Sequence, residues 1–239
     1  MLVTTPALVI STIKYGEADL IARVYSRDLG LNSYMLKGIR KAKKAKLRTS
    51  MFQPLTQVEI ETNHKNKGAL EYIKNLTVTY PYATLHQDIF KSSVALFFSE
   101  ILTQLLKEQQ GDEQLFDYLT YVFRYLDQTD HVANHSIKIL LDLTSFMGFQ
   151  PDRDTTGDYF NLWNGNFDND GMQPHHSTDL EASYLKKLIG MDFDKLHEVR
   201  MSRHERSNLL NLVIDYFQIH LHSFKKPNSL SILKQLFDA

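Results

Sequence analysis

A chain of 239 residues that is 43% hydrophobic and 23% charged can bury one large core or two smaller ones, and its composition excludes a disordered chain. It has no cysteine, which excludes disulfides and every thiolate metal site and is compatible with a reducing compartment. The formal net charge of -1 hides an asymmetry: residues 1–80 carry 13 Lys or Arg against 6 Asp or Glu, whereas residues 81–239 carry 14 against 22. The N-terminal third is therefore the part suited to meeting an anion. The opening stretch MLVTTPALVISTIKYGE lacks the basic start and long apolar run of a secretory signal, and no segment approaches the ~20 apolar residues of a membrane helix. A soluble cytoplasmic protein is expected.

Residues 7–80 read as five short strands. Ala7 to Tyr15 is rich in Val, Ile and Thr, and Gly16-Glu17 turns it. Ala18 to Ser26 alternates Leu20, Ala22 and Val24 with Asp19 and Arg23, and Asp28-Leu29-Gly30 turns again into Leu31 to Leu36. Leu55 to Thr62 alternates Val58 and Ile60 with polar residues, and a polar connection ending in Gly68 leads into Ala69 to Tyr80. Five strands separated by turn signals predict a barrel of oligonucleotide/oligosaccharide-binding (OB) type over residues 1–80; an SH3-like barrel or an open sheet has the same strand count.

Between the third and fourth of these strands runs KGIRKAKKAKLR, from Lys37 to Arg48. Seven of its twelve residues are cationic, namely Lys37, Arg40, Lys41, Lys43, Lys44, Lys46 and Arg48, and none is acidic. Such a run repels itself unless water or a polyanion lies beside it, and a phosphate backbone is the polyanion that soluble proteins most often meet. The plainer reading is a solvated lysine-rich loop. Arg23 and Lys14 are candidate neighbours on the barrel. Tyr15, Tyr25, Tyr34 and Phe52 are candidates either for stacking on unpaired bases or for barrel core.

Pro81 marks a change of pattern, and residues 81–239 predict a helical domain. Thr84 with Gln87 has the spacing of a capping box ahead of a helix from Ile89 to about Gln110, which Gly111 stops. Further helices are expected over Leu115 to Leu126 and Ile137 to Met147, and after the capping-box pairs Thr178/Glu181 and Ser202/Glu205. A last one runs from Ser229 to Phe237. The insertion over residues 150–177 carries Asn164-Gly165, the signal of a two-residue hairpin loop.

Asn166, Asp168, Asp170 and Gly171 match the opening of a calcium loop, yet Ser177 stands at the twelfth position where a bidentate Glu belongs, and Pro174 falls inside. His175-His176, His131 with His135, and His220 with His222 lack a convergent third ligand. No metal and no cofactor are expected. No nucleophile elbow or phosphate-binding glycine loop is present. Asp152, Asp154, Asp158, Asp168 and Asp170 leave a two-metal nuclease as one alternative reading. A helical interaction protein with a solvated basic loop is another.

The order AxVIxxxxYGExDLIxxxxxRxxGxxxxxLKGxRKxK, followed by Gln53-Pro54, resembles the bacterial recombination mediator family RecO through Gly16, Glu17, Asp19, Leu20, Gly30, Lys37, Gly38, Arg40 and Lys41. FMGFQPD, from Phe146 to Asp152, resembles the segment that enters the family's zinc-finger region. YFQIHLHSFKKPNSLSIL, from Tyr216 to Leu233, is similar to the family's end, including Lys226, Ser229 and Leu233. The resemblance implies an OB barrel followed by a helical domain. It also implies a non-catalytic role: binding single- and double-stranded DNA, annealing strands, and acting with RecR and single-stranded-DNA-binding protein to load the recombinase, in association with the nucleoid. Many members carry four cysteines where this chain has residues 152–176, so zinc is not carried over. Side-chain packing around Tyr159, Phe160 and Trp163 is expected in its place. Lys37, Arg40, Lys41, Lys43, Lys44, Lys46 and Arg48, with Arg23 and Lys14, would neutralise phosphates without reading bases.

Overall fold

In the computed structural model, which describes residues 1–41, 47–65, 70–106, 111–171 and 173–238, the alternating N-terminal segments form an antiparallel sheet. Its strands are β1 (Leu2–Tyr15), β2 (Asp19–Ser26), β3 (Gly30–Leu36), β4 (Gln57–Asn63) and β5 (Ile73–Tyr80), in the order β3-β2-β1-β4-β5. The first half of β1 pairs with β4, from Leu2↔Asn63 to Leu8↔Gln57, and the second half pairs with β2, from Ala7↔Ser26 to Tyr15↔Asp19. A register shift between Val9 and Ser11 bends β1 so that one strand serves both neighbours. Ala7, Val9, Ala22, Val24, Tyr34, Leu36, Val58 and Ile60 fill the inner face.

The five strands and their OB-type order agree with the sequence, but the sheet is not closed. Among the described residues, the β-bridge between β3 and the chain ahead of β5 is the isolated parallel one at Tyr34↔Glu71, where Met35 N–H donates to the Glu71 carbonyl at 2.8 Å. The cause is local. The Glu71 carboxylate accepts the Lys65 N–H at 2.7 Å and lies 3.2 Å from His64 Nδ1, and the β4–β5 register slips between Glu61 and Thr62. The paired register of β5 with β4 begins at Thr62↔Ile73.

Two helices, α1 (Ile89–Leu105) and α2 (Glu113–Gln128), belong to the same compact unit, residues 1–128, as the sheet. Buried Ser99 of α1 donates to the Ile10 carbonyl at 2.7 Å, at the β1 bulge. Tyr25 packs its ring 6.2 Å from Phe116, and the wholly buried Gln57 takes Arg124 Nε at 2.7 Å while donating to the Thr120 carbonyl. The expected capping box at Thr84 and Gln87 is not what starts α1. Asp88 is the N-cap, accepting Lys91 N–H at 2.8 Å, because the Thr84 hydroxyl is engaged by Asp127 and by the Lys91 ammonium.

Residues 129–239 form the second unit: α3 (His135–Phe146), a hairpin of β6 (Tyr159–Asn161) and β7 (Asn166–Asp168), α4 (Asp179–Leu188), a 3-10 helix at Phe193–Glu198, α5 (Arg203–His220) and α6 (Leu230–Asp238). Thr178/Glu181 and Ser202/Glu205 both form full capping boxes, as their spacing predicts. The hairpin differs from its signal. Asn161 pairs with Asn166, so residues 162–165 form a four-residue loop, closed by Asn161 Oδ1 accepting from Trp163 and Asn164 N–H. Gly165 sits at φ +68°, where a Cβ would stand 2.5 Å from the Tyr216 hydroxyl.

Candidate nucleic-acid interface

The start of the basic segment is held in place by the β1–β2 turn. Gly38, at φ +67°, redirects the chain after Leu36 and donates its N–H to Asp19 Oδ1 at 2.7 Å. Arg40 donates from its main chain to the Ala18 carbonyl and from Nη1 to the Glu17 carbonyl, both at 3.0 Å. Ile39 turns inward and is buried in the sheet core. With the backbone fixed by these contacts, Lys37, Arg40 and Lys41 are presented to solvent. On the return, Leu47 and Met51 pack against the same core, and Phe52, in a 3-10 helix at Thr49–Phe52, is buried in it. Arg48 precedes that helix and is exposed.

Lys43, Lys44 and Lys46 lie outside the described residues. Lys41 pairs with Glu17 at 3.0 Å, both side chains being well exposed, so the pair is weak and leaves the ammonium able to exchange partners. Lys37 places its ammonium 5.2 Å from the centre of the Tyr72 ring. The strand register separates the two flanking cations. Arg23 stands opposite Ser11 and Ser33 on the outer face, with Lys37 two rows along, whereas Lys14 stands opposite the inward-facing Leu20. By this register Lys14 and Arg23 lie on opposite faces of the sheet.

Among the aromatic candidates, Tyr25, Tyr34 and Phe52 are core, and burial pushes the Tyr34 phenol well above its ordinary range, which keeps it neutral. Tyr15 is 54% exposed. Sequence reading missed Tyr72, which is 53% exposed, because it precedes β5 and no alternation marks it.

The insertion does not fit a metal. Among the described residues, no three His, Asp or Glu side chains gather to hold one. His176 Nε2 faces Asp168 Oδ2 at 3.2 Å, while His175 turns to Trp163, and His131 stacks on His197 whereas buried His135 packs beside Phe193. Two of the five Asp side chains, Asp152 and Asp168, are occupied locally. Asp152 accepts from Asp154 N–H, and Asp168 from Asp170 N–H and Asn161; although burial acts to raise it, these bonds and His176 hold the Asp168 carboxyl below its ordinary range.

The hairpin is packed by apolar side chains, with Phe160 buried as expected and Trp163 not. Phe160 and Phe167 are buried with their rings 5.1 Å apart, Phe160 lies 5.2 Å from Tyr216, and His220 faces the Leu162 carbonyl. Trp163 is 60% exposed, because the loop turns it outward.

A family profile described as Recombination protein O N terminal matches residues 1–82, and one described as Recombination protein O C terminal matches residues 86–229. The chain belongs to the RecO family. It is 40% identical over 238 residues to the DNA repair protein RecO of Christiangramia forsetii, which covers 99% of this chain and 100% of that relative. It is 38% identical to that of Flavobacterium psychrophilum and 32% to that of Bacteroides fragilis strain YCH46, matching 99% and 100% of this chain and 100% of each relative. Membership of RecO gives the chain a role in DNA repair and recombination. The signature residues Gly16, Glu17, Asp19, Gly38, Arg40 and Lys41 are those of the β1–β2 turn and the start of the basic segment, and most of them bond to one another. Among the described residues, no helix is long and apolar enough to cross a membrane.

Proposed function

We propose that this chain is a non-catalytic DNA-binding mediator, with residues 1–80 as its nucleic-acid-binding domain and residues 81–239 as a helical domain. The basic segment from Lys37 to Arg48, helped by Arg23, binds phosphates of single- and double-stranded DNA and lowers the repulsion between complementary strands, so that they anneal. Within a cytoplasmic, nucleoid-associated pathway it acts with RecR and single-stranded-DNA-binding protein to load the recombinase. The observation that carries the reading is the anchoring of Gly38, Ile39 and Arg40 on the β1–β2 turn, which presents Lys37, Arg40 and Lys41 to solvent from a fixed backbone. A fixed array of cations loses less freedom on meeting a phosphate backbone than a free one does.

The test replaces Lys41, Lys43, Lys44 and Lys46 with Ala and measures DNA affinity across a salt series. The expected result is weaker binding for every sequence, with the slope of log affinity against log salt reduced by about 0.7 to 0.9 for each phosphate that is no longer neutralised. An unchanged slope refutes the assignment. Annealing of complementary strands should slow in the same variant, while added magnesium or manganese should leave DNA uncut.

A further inference from the structure

The outer face of β1, β2 and β3 carries a row that the basic segment does not explain. Ile13 stands opposite Ile21, and Ile21 opposite Met35. The bridge Tyr34↔Glu71 points both its residues inward, where they are buried, so the next pair, Met35 and Tyr72, points outward together. Lys37 confirms that side for Tyr72. Its neighbour Leu36 is buried in the inner face, so Lys37 faces outward, and its ammonium lies 5.2 Å from the centre of the Tyr72 ring. An apolar row, Ile13–Ile21–Met35–Tyr72, therefore crosses the sheet, with Ile13 57% and Tyr72 53% exposed.

Rows on either side hold charge. One contains Ser11, Arg23 and Ser33; the other contains Tyr15 and Asp19, with Lys37 just past the last paired row, Leu20↔Leu36. Asp19 is the acidic group of these rows, and its carboxylate is turned to the Gly38 N–H, which it accepts at 2.7 Å. The face thus offers an apolar row that ends in one ring, Tyr72, with Arg23 on one side of it and Lys37 on the other. Strands 2 and 3 and the adjoining loops are also where OB-type sheets bind oligonucleotides.

We propose that this outer face is a stacking platform for unpaired bases of single-stranded DNA, with Tyr72 and Tyr15 as the stacking rings and Lys37 and Arg23 taking the flanking phosphates. The proposal rests on the DNA-binding reading above and adds strand selectivity to it. A duplex keeps its bases inside and meets only the cations; a single strand meets both cations and rings. Ring stacking is largely independent of salt, whereas phosphate neutralisation is not.

The test uses the full chain and fluorescein-labelled oligo(dT) beside a labelled duplex, with affinity read by anisotropy across a salt series. Tyr72→Ala should weaken oligo(dT) binding by about ten-fold, leave the salt slope unchanged and leave duplex binding unchanged; Tyr72→Phe should retain wild-type affinity. If Tyr72→Ala melts below the assay temperature, Tyr15→Ala, at an exposed site on another strand, carries the same expectation. Equal losses on both ligands, or no loss on oligo(dT), overturn the platform while leaving the basic segment in place. A wild-type chain that binds neither ligand overturns the DNA-binding reading itself.

Discussion

The backbone N–H of Gly38 donates to the carboxylate of Asp19 at 2.7 Å, joining the end of β3 to the beginning of β2. This bond orients the start of the basic segment, so its loss should be felt in both stability and DNA affinity. Asp19→Ala should destabilise the N-terminal unit by roughly 1.5 to 3 kcal/mol, the usual range for a hydrogen bond to a charged group, and Asp19→Asn by less because an oxygen acceptor remains. Gly38→Ala meets no neighbouring atom within 4 Å, so its cost is conformational alone, about 1 to 2 kcal/mol for a Cβ at φ +67°. Denaturant unfolding with parallel DNA titrations checks this. Reduced stability with DNA affinity intact would mean that the bond supports the fold and not the interface.

Much of this arrangement is written in the sequence, and the exceptions share a cause. The strands were legible because Leu20, Ala22 and Val24 alternate with polar neighbours and glycines mark the turns; the boxes at Thr178 and Ser202 were legible because a cap is decided within four residues. Thr84 has the same spacing, yet its hydroxyl is taken by Asp127, which lies 43 residues away and which no local pattern announces. Tyr72 likewise reaches the outer face through a cross-strand bridge to β3, and Lys14 leaves Arg23 through the register of β1 on β2. Local rules set elements and caps; pairing between distant segments decides which side chains meet.

Asp127 gives a pH prediction whose sign follows from its partners. Burial acts to raise its carboxyl, but the N–H groups of Thr84, Leu85 and Ala83 and the Thr84 hydroxyl outweigh burial, leaving it below its ordinary range. A carboxyl lowered in the folded state adds stability that is fully present above its unfolded value, about 4, and is lost as pH falls through the folded value. Asp127→Ala strands several buried donors and should cost about 3 kcal/mol at neutral pH. The gap in melting temperature between wild type and variant should stay constant from pH 7 to about 5 and narrow below about 4. A gap that already closes at pH 6 would contradict this origin.

The last prediction concerns how the β6–β7 hairpin is held in a family whose other members often use zinc there. With no cysteine and no gathered His, Asp or Glu set among the described residues, metal-binding free energy, worth ~10 kcal/mol or more at a structural zinc site, is not what these side chains are arranged to supply. Apolar burial takes its place, centred on Phe160 and Phe167 against Tyr216. Residue size misleads here: Trp163 is the largest side chain in the segment but stands 60% exposed, so Trp163→Ala should change stability by no more than about 0.5 kcal/mol. Phe160→Ala removes a ring that is 1% exposed and should cost about 3 to 5 kcal/mol. Thermal melts of both variants, with and without chelator, separate the two accounts. Apolar anchoring requires that the chelator leave the wild-type melting temperature unchanged and that only Phe160→Ala lower it; a fall with chelator, accompanied by stoichiometric metal on elemental analysis, would assign the hairpin to a metal after all.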